Sequence, residues 1–146
     1  MTALTNDSIW EIMGTQGYTA GDDIVIPAGA STTITSPPPG TVLRGQLHRV
    51  TVNATANAAV QMRSILSNDN PQVVVVVNDS TNAIVLFPFK AIGAGATDTA
   101  ENINGGQGGF TVASNASAVL FASLAQTKRK GSGTANTLNW SAATFT

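Results

Sequence analysis

The chain has 146 residues, enough for one domain with an attached arm. Only 10% of the residues are charged, against a typical ~25%, and the net charge of −1 gives no long-range field to draw in nucleic acid or an anionic membrane. Cysteine is absent, which excludes disulfides, thiolate metal sites and cysteine nucleophiles.

The first residues, MTALTNDSIWEIMG, lack a basic leader and a continuous apolar run, so they do not read as a signal peptide. Asn6-Asp7-Ser8 offers a helix cap before Ile9-Trp10-Glu11-Ile12-Met13, and Gly14 offers a stop. That predicts a helix of little more than one turn. Residues 22–36 alternate like strands around a Pro-Ala-Gly-Ala turn. Ser36-Pro37-Pro38-Pro39-Gly40 is a stiff spacer and marks the expected boundary between an N-terminal arm, 1–40, and a β domain, 41–146.

Beyond the spacer, residues 41–50 alternate as a strand, and 50–60 read as strand plus turn. Asn68-Asp69-Asn70-Pro71 is a turn. Then come five consecutive valines, Val73 to Val77. Valine is stiff at χ1 and suits a pleated strand, and the run is far too short for a bilayer, which needs ~20 apolar residues. With no polar alternation, neither face of that strand is expected to meet water. Asn78 to Asn82 carry turn chemistry, and Ala83–Phe87 is a second apolar run, so a hairpin or tight strand pair is expected here. Residues 91–109 read as a Gly- and Ala-rich loop with a short strand or turn at 101–104. Strands follow at 110–113 and 118–124, separated by a turn at 115–117. A basic loop covers 127–133, and a final strand or arm covers 137–145. Strand signals about every ten residues point to an all-β fold, an antiparallel sandwich or a jelly-roll-like barrel. No solenoid period stands out.

Chemistry is sparse. His48 is the only histidine, and it has no evident partner for acid–base work. Asp22 and Asp23 are adjacent, so on a strand they point to opposite faces and cannot share one metal. Loop oxygens around 98–104 could hold calcium, but neither an EF-hand nor an RTX spacing is present. The Gly-rich stretches 93–96 and 105–109 lack the following helix that a phosphate cradle needs. Five Asn-x-Ser/Thr triplets, starting at Asn6, Asn53, Asn78, Asn115 and Asn139, read as coincidence in a chain rich in these residues. No catalytic, cofactor or metal residues are assigned, and no enzyme activity is expected. The expected contact residues are those able to anchor an interface. They are Ile9, Trp10, Ile12, Tyr18, Trp140 and Phe145 near the ends, with the basic cluster Lys128, Arg129 and Lys130.

The stretch 71–89, PQVVVVVNDSTNAIVLFPF, then 99–124, TAENINGGQGGFTVASNASAVLFASL, then the late Trp140, resembles small virion proteins of tailed phages. The likeness lies in a valine-rich strand, an Asn-Asp turn, the strand end Val85-Leu86-Phe87-Pro88, the turn Ile103-Asn104-Gly105 and a strand ending near Phe121. It spans roughly residues 70–140, about half the chain, and does not extend to the first forty residues. The resemblance implies a β-rich oligomer on the outer surface of a virion. It would be a capsid decoration or cement protein, a homotrimer that binds the major capsid protein. It implies no nucleic acid, membrane or small-molecule partner. The alternatives are a fibre, receptor-binding or carbohydrate-binding β-module, or a tail or head–tail component. With only 5% aromatic residues, the sugar-stacking alternative is the less favoured.

Overall fold

The computed structural model describes residues 23–33, 43, 45–62, 73–89, 101–106, 108–122 and 139–146. Every regular element among them is a strand: β1 (Ile24–Ile26), β2 (Leu47–Asn53), β3 (Ala58–Gln61), β4 (Val73–Asn78), β5 (Ile84–Phe87), β6 (Asn102–Ile103), β7 (Phe110–Val112), β8 (Ala116–Ala122) and β9 (Asn139–Phe145). The expected helix at 9–13 lies outside the described residues.

Six strands form a curled sheet in the order β1-β2-β4-β8-β9-β6, and three form a second sheet in the order β3-β5-β7. The all-β expectation holds, but the antiparallel one does not. β1 runs parallel to β2, β2 to β4, β3 to β5 and β6 to β9. Only β4–β8, β8–β9 and β5–β7 are antiparallel.

The valine strand lies in the middle of the larger sheet, between β2 and β8. Its alternate residues enter two separate apolar clusters. Val74 and Val76 join Val50, Ala118 and Leu120, together with Val60, Ile84, Leu86 and Val112 from the smaller sheet. Val75 and Val77 point the other way and join Leu47. All four valines are 0% exposed, which accounts for the absence of polar alternation: a strand covered on both faces has no solvent side to mark.

The expected hairpin is absent, because β4 and β5 belong to different sheets and do not pair. The chain turns a corner at 79–83 and crosses from the larger sheet to the smaller one. It makes the same crossing at 54–57, between β2 and β3, and crosses back at 113–115, between β7 and β8. These arches stack side by side, an internal regularity of the fold. Ala54 N–H donates to Ile26 O at 3.0 Å, Asp79 N–H to Val50 O at 2.9 Å and Asn57 N–H to Ala83 O at 2.9 Å.

Two buried asparagines start the arches. At Asn53 and Asn78 the side-chain Oδ1 accepts the N–H two residues on, from Thr55 at 3.0 Å and Ser80 at 3.2 Å. This is an Asx turn, which bends the chain where the ladder ends. The amides then reach across to the neighbouring arch. Asn53 Nδ2 donates to Ala83 O at 3.0 Å, and Asn82 Nδ2 donates back to Asn53 O at 2.8 Å. Asn78 Nδ2 lies 2.9 Å from Ala113 O, 3.2 Å from Val112 O and 3.0 Å from Asn82 O. Thr55 Oγ1 ties in the turn at 27–30 by accepting from Ala30 N–H and donating to Pro27 O. Ser114 Oγ closes the row on Ser80 O at 2.7 Å. Two of the Asn-x-Ser/Thr triplets are therefore arch motifs. Their asparagines, 2% and 0% exposed, are closed to any modifying enzyme in the folded chain.

The segment expected to be an arm is partly built into the sheets. Ile24 and Ile26 pair with β2 and lie in the main apolar cluster, and Ser31 O accepts from Ala59 N–H at 2.8 Å. β1 is an edge strand with one face inward: burial alternates along Ile24-Val25-Ile26 although all three are apolar, and Val25, the middle residue, is 63% exposed.

Candidate interaction surface

The expected contact residues separate into three groups. Ile9, Trp10, Ile12, Tyr18, Lys128, Arg129 and Lys130 lie outside the described residues. Trp140 lies in the core at 0% exposure, on the inward face of β9. Phe145 is exposed near the end of the same strand.

The β8–β9 register places the outward residues. Ser117 lies opposite Phe145, Val119 opposite Ala143, and Phe121 opposite Ser141. The inward set on β8, Ala116, Ala118 and Leu120, is buried, which fixes this second row as the outer face. Phe121 is 53% exposed and Phe145 40%. On the shared β8–β9 ladder each ring lies across from a serine, and on its other side Phe121 lies across from Val73 of β4. Phe145 is four residues beyond Ser141, the partner of Phe121, which separates the two rings by about 13 Å along the strands. Between them Val119 and Ala143 continue the apolar surface, and Val119 packs against the buried Val75–Val77–Leu47 cluster.

No charged residue occurs in β8 or β9. The nearest charges on the outer face of this sheet, among the described residues, are Arg49 and Asp79, whose side chains form an ion pair from Arg49 Nε to Asp79 Oδ2. Both are about a quarter exposed, so water screens the pair and its contribution to stability is small. Among the described residues the surface thus offers apolar contact and no unpaired charge to steer a ligand.

His48, the residue with most potential for chemistry, is buried within β2, and its Nε2 accepts the Gly45 N–H at 3.1 Å. Its ring lone pair is used in holding the approach to the strand. Among the described residues no three His, Asp or Glu side chains gather closely enough to hold a metal ion.

Phe121 was legible in the sequence as strand but not as surface. In Ala116–Ala122 both alternating sets are largely apolar, so period alone does not say which faces out. Ser141, which is exposed, hints at a solvent side, whereas Ser117 on the same row is 0% exposed. Comparisons with protein-family models, curated proteins and solved structures give no match.

Proposed function

We propose that the chain is a structural virion protein that decorates and cements a tailed-phage capsid, acting as a homotrimer on the outer surface of the shell. The observation that carries this reading is the uncharged outer face of β8–β9, with Phe121 and Phe145 exposed on adjacent paired strands. The sequence resemblance supports it, and so does the low charge of the whole chain. In this reading the two sheets are the layers of a sandwich. Ile9, Trp10, Ile12, Tyr18 and Lys128–Lys130 add contacts to the major capsid protein.

A cement protein works by binding the assembled shell better than its separate subunits, which lowers the free energy of the shell by mass action. That calls for broad complementary area, on the order of 1,200–2,000 Å² for a stable contact, and for no reactive group. Exposed aromatics among small side chains suit it, because the rings can bury without leaving an ion unpaired.

The test has two parts. Light scattering coupled to size exclusion should give the mass of a trimer. Shells of the cognate major capsid protein should carry the chain into the pellet on sedimentation, and the double substitution Phe121→Ser, Phe145→Ser should reduce that binding without changing the unfolding midpoint. A stable monomer would remove the trimer. Unchanged pelleting by the double variant would remove this face as the contact.

A further inference from the structure

The edge of β9 is closed by a single residue. β6 pairs with β9 only at Asn102–Asn139 and Ile103–Trp140. Beyond that point the side chain of Asn104 takes the place of a strand. Its Oδ1 accepts Ala142 N–H at 2.9 Å and its Nδ2 donates to Ala142 O at 3.1 Å, while its own N–H donates to Trp140 O at 2.8 Å. The residue that follows is Gly105. Asn104 and Gly105 form a two-residue turn, with φ of 50° and 81° and two hydrogen bonds between Ile103 and Gly106. Positive φ at both central residues is the type I′ pattern for which Asn-Gly is the preferred pair.

Asn-Gly is also the dipeptide most open to self-modification, because no side chain shields the glycine nitrogen. We propose that Asn104–Gly105 is a deamidation site that the fold holds closed. In the reaction the Gly105 backbone nitrogen loses its proton and bonds to Asn104 Cγ, and the side-chain nitrogen leaves as ammonia. Water then opens the cyclic imide at either carbonyl, giving aspartate or isoaspartate.

Three contacts oppose the first step. Gly105 N–H, the attacking group, is engaged by Asn139 Oδ1 at 2.8 Å. Asn104 Cγ is held away from that nitrogen by the paired bonds to Ala142. The tight turn restricts rotation about the backbone between them. Asn104 and Gly105 are both exposed, so solvent water reaches the site and geometry alone provides the protection. The product would undo the closure. An acid at position 104 has no Nδ2 donor and sets a carboxylate against Ala142 O, so the second half of β9 and its outward Phe145 lose their edge restraint.

The experiment is peptide mapping by mass spectrometry during incubation at mildly alkaline pH, with isoaspartate-specific methylation as a second readout. Folded wild-type chain should deamidate at Asn104 at least about tenfold more slowly than the same chain in urea, the factor that ~1.4 kcal/mol of protection represents. Asn139→Ala removes the acceptor for Gly105 N–H and should accelerate the folded rate severalfold. Asn139→Asp keeps an oxygen there and should stay near wild type. Asn104→Gln should abolish the signal. The separated deamidated fraction should show faster hydrogen exchange at 142–144. Equal rates for the folded and urea-unfolded wild type would overturn the proposal whatever the variants do. Equal, slow rates for Asn139→Ala and wild type would remove Asn139 as the lock.

Discussion

Replacing Asn78 with alanine tests the account of the arches most directly. The side chain is 0% exposed and makes five contacts within hydrogen-bond reach: Nδ2 with Asn82 O, Val112 O and Ala113 O, and Oδ1 with Ser80 N–H and Ser80 Oγ–H. Alanine removes all of them and puts nothing polar in their place. Ser80 Oγ–H and Asn82 O, 3.1 Å apart, keep each other as partners, which leaves three groups to count: Val112 O, Ala113 O and Ser80 N–H. At about 1 kcal/mol net for each, the expected loss is about 3 kcal/mol. For a domain whose total stability is on the order of 5–15 kcal/mol, that is a large share. With a urea m-value of ~2 kcal/mol/M, the midpoint should fall by about 1.5 M. Asn78→Asp is the sharper comparison because it keeps shape and removes only the donor. It faces three carbonyl oxygens with a carboxylate, so its folded-state pKa must lie above the unfolded value. Its deficit against wild type is therefore greatest at neutral pH and shrinks as pH falls through that raised pKa, when the protonated acid can again donate. Urea melts of both variants at neutral and acid pH decide the matter. A loss under ~1 kcal/mol for Asn78→Ala, or an Asn78→Asp variant as stable as wild type at neutral pH, would show that the arches hold without this residue.

Gly109 has φ of +93°, and a Cβ there would lie 2.5 Å from Val85 Cγ1. Gly109→Ala should cost about 2–3 kcal/mol in thermal or urea unfolding, and adding Val85→Ala should recover part of it. Asn57 ends the arch between β2 and β3 at φ of 56° and is exposed, so Asn57→Gly should leave stability within about 0.5 kcal/mol while Asn57→Ala loses about 1. Arg49→Ala should cost less than ~1 kcal/mol, and the deficit should narrow in high salt, because the partner Asp79 is itself partly hydrated.

The strands were far more legible than their pairing. Val73–Val77, Ile84–Phe87 and Phe110–Val112 announce themselves by β-branched and aromatic content, and each is a strand in the structure. The hairpin expectation failed because Asn78–Asn82 carries the same turn chemistry whether the chain folds back in one sheet or crosses to another. Both runs are uninterruptedly apolar in sequence, so nothing in them distinguishes the two outcomes; only in the structure do they differ, β4 being buried on both sides and β5 burying Ile84 and Leu86 while Val85 and Phe87 stay partly exposed. The Asn-x-Ser/Thr triplets at 53 and 78 were visible, but their meaning depends on burial, which sequence does not give. Of the expected contact residues that are described, Phe145 is exposed, while Trp140 is core. An aromatic two residues inside a strand end has no sequence mark that separates the two.

The arches also explain how parallel strands arise here without helices. A parallel pair needs a crossover of a dozen residues or more, usually helical. β2 and β4 obtain theirs through β3, which lies in the other sheet, so the return path is itself a paired strand. The same arrangement makes β3 and β5 parallel. Each crossing adds one strand to each sheet, and residues of both sheets join a single apolar cluster. The cost is that every crossing brings backbone N–H and C=O groups to one end of that cluster, where neither ladder can pair them all. The buried amides of Asn53 and Asn78 and the hydroxyls of Thr55, Ser80 and Ser114 supply the missing partners. Polar side chains are thus concentrated at the arches by backbone need, and β8 and β9, which follow the last arch, are free to carry an uncharged outer surface. A fold organised in this way places its hydrogen-bonding chemistry where it holds the chain together.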